Sequence, residues 1–201
     1  MLIGISGKAR SGKDTFAKIL GSYLFDTIGR SFVMMAYATE LKSRVEKDFN
    51  LTWDQLWGDK KEDIDERYFN LSTERYWTGR EIMQHCGDYY RSINGDFWVE
   101  HLMNQIEDEE YDNVIVTDLR QKNEVDAIVN RGGVHISMIR EKGKSMINNP
   151  THTSETDLDG GYKVDLMVIN NGGLEDLSKN AELLVPEIIK IVNKRRNNKN
   201  G

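Results

Sequence analysis

Cysteine and proline are nearly absent from this chain. Its 201 residues include one cysteine, Cys86, and two prolines. A lone thiol excludes an internal disulfide framework and a cysteine-rich metal cluster, and it fits a reducing cytoplasm. With so little proline and no glycine- or serine-rich stretch, nothing reads as a linker, and no internal repeat divides the chain. Apolar runs are short, none near the roughly 20 residues a membrane span requires. The chain opens on a strand pattern, not on a basic-then-apolar leader. An excess of positive charge is missing as well: 27 Lys and Arg face 33 Asp and Glu, a net charge of −6. That balance argues against a polymeric nucleic acid as partner. What remains is a soluble domain of ordinary size, monomer or homodimer, with chain enough for a proper core.

What is present is concentrated in the first fifteen residues, MLIGISGKARSGKDT. A short apolar run leads into Gly7-x-x-x-x-Gly12-Lys13, the spacing of a phosphate-binding P-loop, placed after a strand and before a helix. Gly7 and Gly12 allow a tight turn that carries backbone N–H groups of Lys8, Ala9, Arg10 and Ser11 toward phosphate oxygens. The helix that begins near Lys13 aims its positive end at the same anion. Lys13 supplies a mobile charge to the terminal phosphates of a nucleoside triphosphate, read as ATP. The position after the lysine usually holds Ser or Thr. Here it is Asp14, followed by Thr15, and both offer hard oxygen ligands suited to Mg²⁺. Lys8 and Arg10 offset the added carboxylate and add charge stabilisation for phosphoryl transfer.

Apolar periodicity alternates between strand and helix along the rest of the chain. Strands are predicted at residues 2–6, 31–37, 113–117, 134–139 and 166–169. Residues 51–77, polar and rich in Asp, Glu and Lys, read as short helices and mobile loops. Thr78-Gly79-Arg80-Glu81 is a capping box opening a helix, and the final eight residues, 194–201, read as a frayed polar tail. The alternation predicts an α/β fold of three layers: a central parallel five-stranded sheet with helices on both faces, in one domain spanning residues 1–193. Ligands of such sheets gather at the carboxyl ends of the strands. That rule collects the first loop, the stretch from Tyr37 to Lys42, Asp118 to Gln121, and Asn170-Asn171-Gly172 at one crevice.

The segments GKARSGKDT, TGREIMQHCGD, FWVE, TDLRQKNEVDA, THTSE and INNGGLEDL, in this order from Gly4 to about Leu184, resemble the phage deoxynucleoside monophosphate kinases. The resemblance implies a nucleoside-monophosphate-kinase-like P-loop fold, an acceptor-side helical insert over about 50–110, a lid over about 141–158, and location in a host cytoplasm. It implies transfer of the γ-phosphoryl group of ATP to a deoxynucleoside monophosphate. The animal-type phosphomevalonate kinases share the Asp-type P-loop, the Asp-x-Arg strand end and the late His-x-Ser-Glu segment. Gln121 after Arg120 and the helix opening TGREIMQ favour the nucleotide enzymes. A non-catalytic P-loop sensor is the remaining alternative.

Each candidate residue carries a rival reading. Arg80 stands in the first turn of a helix, where it opposes the helix dipole. It serves either the acceptor phosphate, as the resemblance implies, or a surface ion pair with Glu74 or Glu81. Gln84, four residues on, shares its face and either reads a base edge or is an ordinary helix amide. Lys42 matches an acceptor-side lysine of the resemblance, or is an exposed helix lysine. Trp98 stacks near the acceptor or belongs to the core. Asp118 and Arg120 act on metal and phosphates, or pair with each other, with Gln121 beside the acceptor. Arg140 precedes the polar segment that reads as a lid and is its leading cation. Asn171 reads the amino edge of adenine or merely forms a turn.

Overall fold

The computed structural model describes residues 1–140 and 152–199. It divides into two compact units, one made of Met1–Ala36 with Leu102–Gly201, the other of Tyr37–His101.

The first unit is built on five strands: β1 (Leu2–Ser6), β2 (Val33–Met35), and, after the two strands of the second unit, β5 (Val114–Leu119), β6 (Val134–Ile139) and β7 (Leu166–Ile169). Their order is β2-β5-β1-β6-β7, and every pairing is parallel. The predicted five-stranded parallel sheet is thus observed. The second strand is shorter than 31–37 because it is an edge strand that pairs only with Val114, Ile115 and Val116. A strand buried on both faces reads as an unbroken apolar run, and β1 does. Ile3 and Ile5 enter one core with Phe16, Leu20 and Leu24 of α1 (Lys13–Ile28) and with Leu177, Ala181, Val185 and Ile188 of the last helix, which runs over Leu174–Lys199. Gly4 faces the other way. A Cβ there would lie 2.7 Å from Leu119 and 3.0 Å from Ile128, so the missing side chain lets the helix Lys122–Asn130 pack against the central strand.

The last helix continues to Lys199, through the described part of the segment read from sequence as a frayed tail. Arg195 explains it: its guanidinium bonds the Asp165 carboxylate at 2.6 and 3.0 Å and donates to the Gly133 carbonyl. This ties the helix end to the start of the sheet.

The second unit holds α2 (Tyr37–Phe49), α3 (Trp53–Leu56), a 3-10 turn at Lys60–Glu62, β3 (Ile64–Asn70), β4 (Arg75–Thr78) and α4 (Gly79–Ile93). The helix that follows, α5 (Phe97–Asp108), begins in it. Val45, Leu51, Leu56, Ile82 and Met83 form its core. The capping box expected at Thr78 and Glu81 is present, with Glu81 N–H on Thr78 Oγ1 and Thr78 N–H on Glu81 Oε2. Of the short helices and loops expected over 51–77, the short helices are present at Trp53–Leu56 and Lys60–Glu62, and the antiparallel hairpin β3–β4 takes the place of the loops beyond them. Its turn has no Asn-Gly or Asp-Gly signal. The Asn70 side chain makes the turn instead, accepting from the N–H groups of Ser72 and Thr73, and Glu74 takes a left-handed φ of 52°. Asp65 on β3 is buried, and the Arg67 guanidinium beside it holds its carboxyl well below the usual range.

The remaining helices are α6 (Lys122–Asn130), α7 (Thr153–Thr156) and α8 (Leu174–Lys199). Glu124 of α6 is buried, and its Oε2 accepts the backbone N–H groups of Arg120 and Gln121 at 2.6 and 3.0 Å. A carboxylate receiving orphan N–H groups at a helix start is a strong, charge-assisted cap. Glu124→Ala should therefore lower unfolding free energy by about 1–3 kcal/mol, the cost of leaving buried donors unmatched, measured by urea denaturation.

His135 of β6 is buried. Its Nδ1 lies 3.1 Å from the Lys163 carbonyl and its Nε2 2.7 Å from Ser6 Oγ. A carbonyl can only accept, so Nδ1 carries the proton and Nε2 accepts from the serine. Burial pushes the imidazole below its ordinary 6.5. The unfolded chain takes up a proton near 6.5 while the native ring stays neutral, so stability falls as pH drops through that value. Thermal melts at pH 8 and pH 5.5 should show a smaller difference for His135→Gln than for the parent chain.

Candidate active site

Strand register gathers the predicted loops at one end of the sheet. Ser6, the last residue of β1, pairs with Leu119 on one side and Ser137 on the other. Ile139 pairs with Ile169. The segment from Gly7 to Gly12, Asp118, Arg120, Arg140 and Asn170-Asn171 therefore all leave the sheet at its carboxyl edge.

Local backbone chemistry shapes the first loop. Gly7 has φ 149° and Gly12 has φ 94°, conformations that disfavour any side chain. Space forbids one as well: a Cβ on Gly7 would stand 2.5 Å from the Met138 carbonyl oxygen, and one on Gly12 would stand 2.6 Å from Asn170 Nδ2. Between them Arg10 is held at φ 61°, strain of the kind that persists where surrounding structure imposes it. Gly12 is the N-cap of α1, and no side chain caps it. Ser11 is buried, while Asp14 and Thr15 are exposed on the first turn.

Lys8, Lys13 and Arg140 at this edge already have partners. Lys13 is buried, and its ammonium donates to the carbonyls of Gly7 and Lys8 at 2.8 and 2.9 Å. Lys8 pairs with Asp159 at 2.6 Å, both side chains being exposed. An exposed pair of this kind is worth little and yields to a stronger anion. The Arg140 guanidinium reaches the Arg10 carbonyl at 3.4 Å, so β6 and the first loop meet. Asp118 and Arg120 flank Leu119 at the end of β5. Gln121 is the N-cap of α6, a structural duty for a residue read as acceptor-side. Asn171 is half-buried beside the buried Asn170.

The acceptor-side candidates lie in the second unit. Arg80 opens α4, and its Nε donates to Glu62 in the 3-10 turn, not to Glu74 or Glu81. Glu81 is taken by Arg75, which lowers its carboxyl below the ordinary range. The second oxygen of Glu62, Oε2, is buried and has no hydrogen-bond partner among the described residues. Gln84 is half-buried one turn along α4. Lys42 lays its ammonium 3.6 Å above the Trp57 ring. Trp98 is buried, donates Nε1–H to the Gly87 carbonyl at 3.3 Å and packs edge-on to Tyr90 and Phe97. Its surroundings are those of a core residue. Most of the segment read as a lid, with Lys142 and Lys144, lies outside the described residues.

Sequence reading passed over Glu62, Glu124 and Asp159, and it brought Asn170 to the crevice without giving it a role of its own. Only Asn170 had a signal: Val168 faces inward, and in a strand residues two apart share a face.

Residues 24–181 match the family described as "Deoxynucleotide monophosphate kinase". A putative deoxynucleotide monophosphate kinase of Acanthamoeba polyphaga mimivirus is 30% identical over 191 residues, covering 88% of this chain and 91% of that protein. The deoxynucleotide monophosphate kinase of Enterobacteria phage T4 is 36% identical over 112 residues, 52% of this chain and 44% of the phage protein. Among solved structures, a dephospho-CoA kinase from Campylobacter jejuni has a TM-score of 0.48 at 14% identity, over 94% of this chain and 97% of that one. The family match spans most of the chain and the mimiviral protein is matched over nearly its full length, so the chain belongs to the deoxynucleotide monophosphate kinase family, phosphotransferases with a nucleoside triphosphate donor and a deoxynucleoside monophosphate acceptor.

Proposed function

We propose that the loop from Gly7 to Lys13 holds the triphosphate of ATP, and that Arg10, Lys13, Arg120 and Arg140 stabilise the charge that spreads over the transferred phosphoryl group. The observation that carries this reading is Lys13 itself. It is a buried ammonium resting on the Gly7 and Lys8 carbonyls, inside a loop whose glycines exclude all but backbone. A phosphate oxygen entering the loop offers Lys13 a full negative charge in place of two carbonyl dipoles.

The acceptor deoxynucleotide is assigned to Arg80, Lys42 and Gln84, with Gln121 and Trp98 in supporting places. Glu62 takes the Nε edge of the Arg80 guanidinium, so an incoming phosphate meets the terminal Nη groups. The Gln84 amide, donor and acceptor at once, suits a base edge. Asn171 is assigned to the adenine of ATP. Asp14, Thr15 and Asp118 present the hard oxygen donors that fit Mg²⁺, and when bound the ion screens the phosphate oxygens. The acceptor phosphate is already an anion and needs no strong base. An acceptor oxygen attacks the γ-phosphorus in line, the bond to the β-bridging oxygen breaks, and ADP leaves. Positioning and electrostatics supply the rate. His152, which leads into α7, has no acid–base duty in this scheme. No helix among the described residues is long and apolar enough to cross a membrane.

A coupled assay for ADP with ATP and dGMP, dTMP or mevalonate 5-phosphate tests the assignment. Turnover with a deoxynucleotide alone is expected. ATP binding with no acceptor turnover would instead identify a sensor. Lys13→Ala should lower kcat by at least about a hundredfold, the scale of removing one transition-state donor, with an unchanged circular dichroism spectrum. Arg80→Ala should raise KM for the deoxynucleotide by about tenfold, the worth of a charge-assisted hydrogen bond, and leave KM for ATP in place.

A further inference from the structure

Asn170 stands just past β7 and is 6% exposed. Its backbone N–H donates to the Ile139 carbonyl at 2.8 Å, which fixes the residue to the end of the sheet. Its side-chain Nδ2 donates to the Ser11 carbonyl, also at 2.8 Å and 159 positions away in sequence. The orientation of this amide is forced, because an amide oxygen turned toward a carbonyl would have no proton to share. The same nitrogen fills the space that a Gly12 side chain would need. Asn170 thus bears on the loop at both ends of the peptide joining Ser11 to Gly12.

That peptide is planar and trans, so its C=O and N–H point in opposite directions. Pinning the Ser11 carbonyl toward the sheet turns the Gly12 N–H away from it. We infer that Asn170 is a positioning residue for phosphoryl transfer: its buried amide holds the Ser11–Gly12 peptide in the one orientation that presents the Gly12 N–H to the triphosphate. This rests on the reading that the loop holds ATP. Asn170 also precedes Asn171, so one residue joins the loop assigned to the base to the loop assigned to the phosphates.

Asn170→Ala and Asn170→Asp test the inference in the full chain, with melting temperature as the check on folding. Asn170→Ala should lower kcat/KM for ATP by about tenfold, the cost of a buried hydrogen bond left unmade, with KM for dGMP within about twofold of the parent on the same grounds. Asn170→Asp keeps the shape and replaces Nδ2 by oxygen. Protonated, that carboxyl donates to the Ser11 carbonyl; ionised, it repels it. Affinity of this variant for Mg²⁺–ATP should fall as pH rises through a carboxyl pKa raised by burial, and the parent's should not follow that curve. Folded variants with parent-like ATP kinetics, or with equal losses toward ATP and dGMP, would overturn the inference. Should neither variant fold, side-chain amide exchange in ¹⁵N-labelled parent protein decides. Slow exchange of the Asn170 NH₂ and a shift on adding ATP support the role, and exchange at the rate of a surface amide refutes it. A parent chain that binds ATP without phosphorylating any deoxynucleotide would defeat the acceptor assignment alone, because the ATP-binding measurements stand apart from it.

Discussion

A peptide loop closes on a polyphosphate only when nothing but backbone stands between them. In the proposed reading that constraint falls on Gly7 and Gly12. One is pressed against the Met138 carbonyl and the other against Asn170, and both take φ values that side chains disfavour. The rest of the first unit supplies the anvil. β1 is the middle strand of five, clamped by α1 and α8 on one face and approached by α6 where Gly4 makes room. A loop launched from the centre of such a sheet inherits its rigidity, which is what oriented N–H groups require.

Much of this was legible in the residues. The apolar runs of β1, β5 and β6 announce strands covered on both faces, that of β7 marks an edge strand with Met167 and Ile169 exposed, and the spacing from Gly7 to Lys13 announces the loop. Parallel order then brings Asp118, Arg120 and Arg140 to the same edge without further information. The β3–β4 hairpin was not legible because its turn is closed by the Asn70 side chain and a left-handed Glu74, not by glycine. β3 also spends a buried position on a charged residue, Asp65, which is tolerable only because Gln55 and Arg67 hydrogen-bond it. The end of α8 looked frayed because its stabilising contact, Arg195 on Asp165, spans 30 residues. Local composition carries no trace of such a partner.

The candidate site divides in the same way. Residues required by backbone geometry were found from spacing, since the geometry is local. Residues that serve through distant partners were not. Glu62 lies in a charged stretch where nothing marks it out from its neighbours, yet it is the group that receives Arg80. Trp98 has the composition of a stacking platform, but its ring edge and N–H are spoken for by Tyr90, Phe97 and Gly87. Only Asn170 had a reading available, through the alternation of β7.

The self-pairing of the lysines has a further consequence. Lys13 is occupied by two carbonyls and Lys8 by Asp159, so an anion entering the loop must displace these partners. A small anion such as chloride or bicarbonate replaces one of these partners at a time and gains little by it. On the proposed reading, a triphosphate reaches both lysines together and adds the backbone N–H groups in the same event. On that same reading the loop selects anions by length, because a chain of phosphates can replace both sets of lysine partners at once.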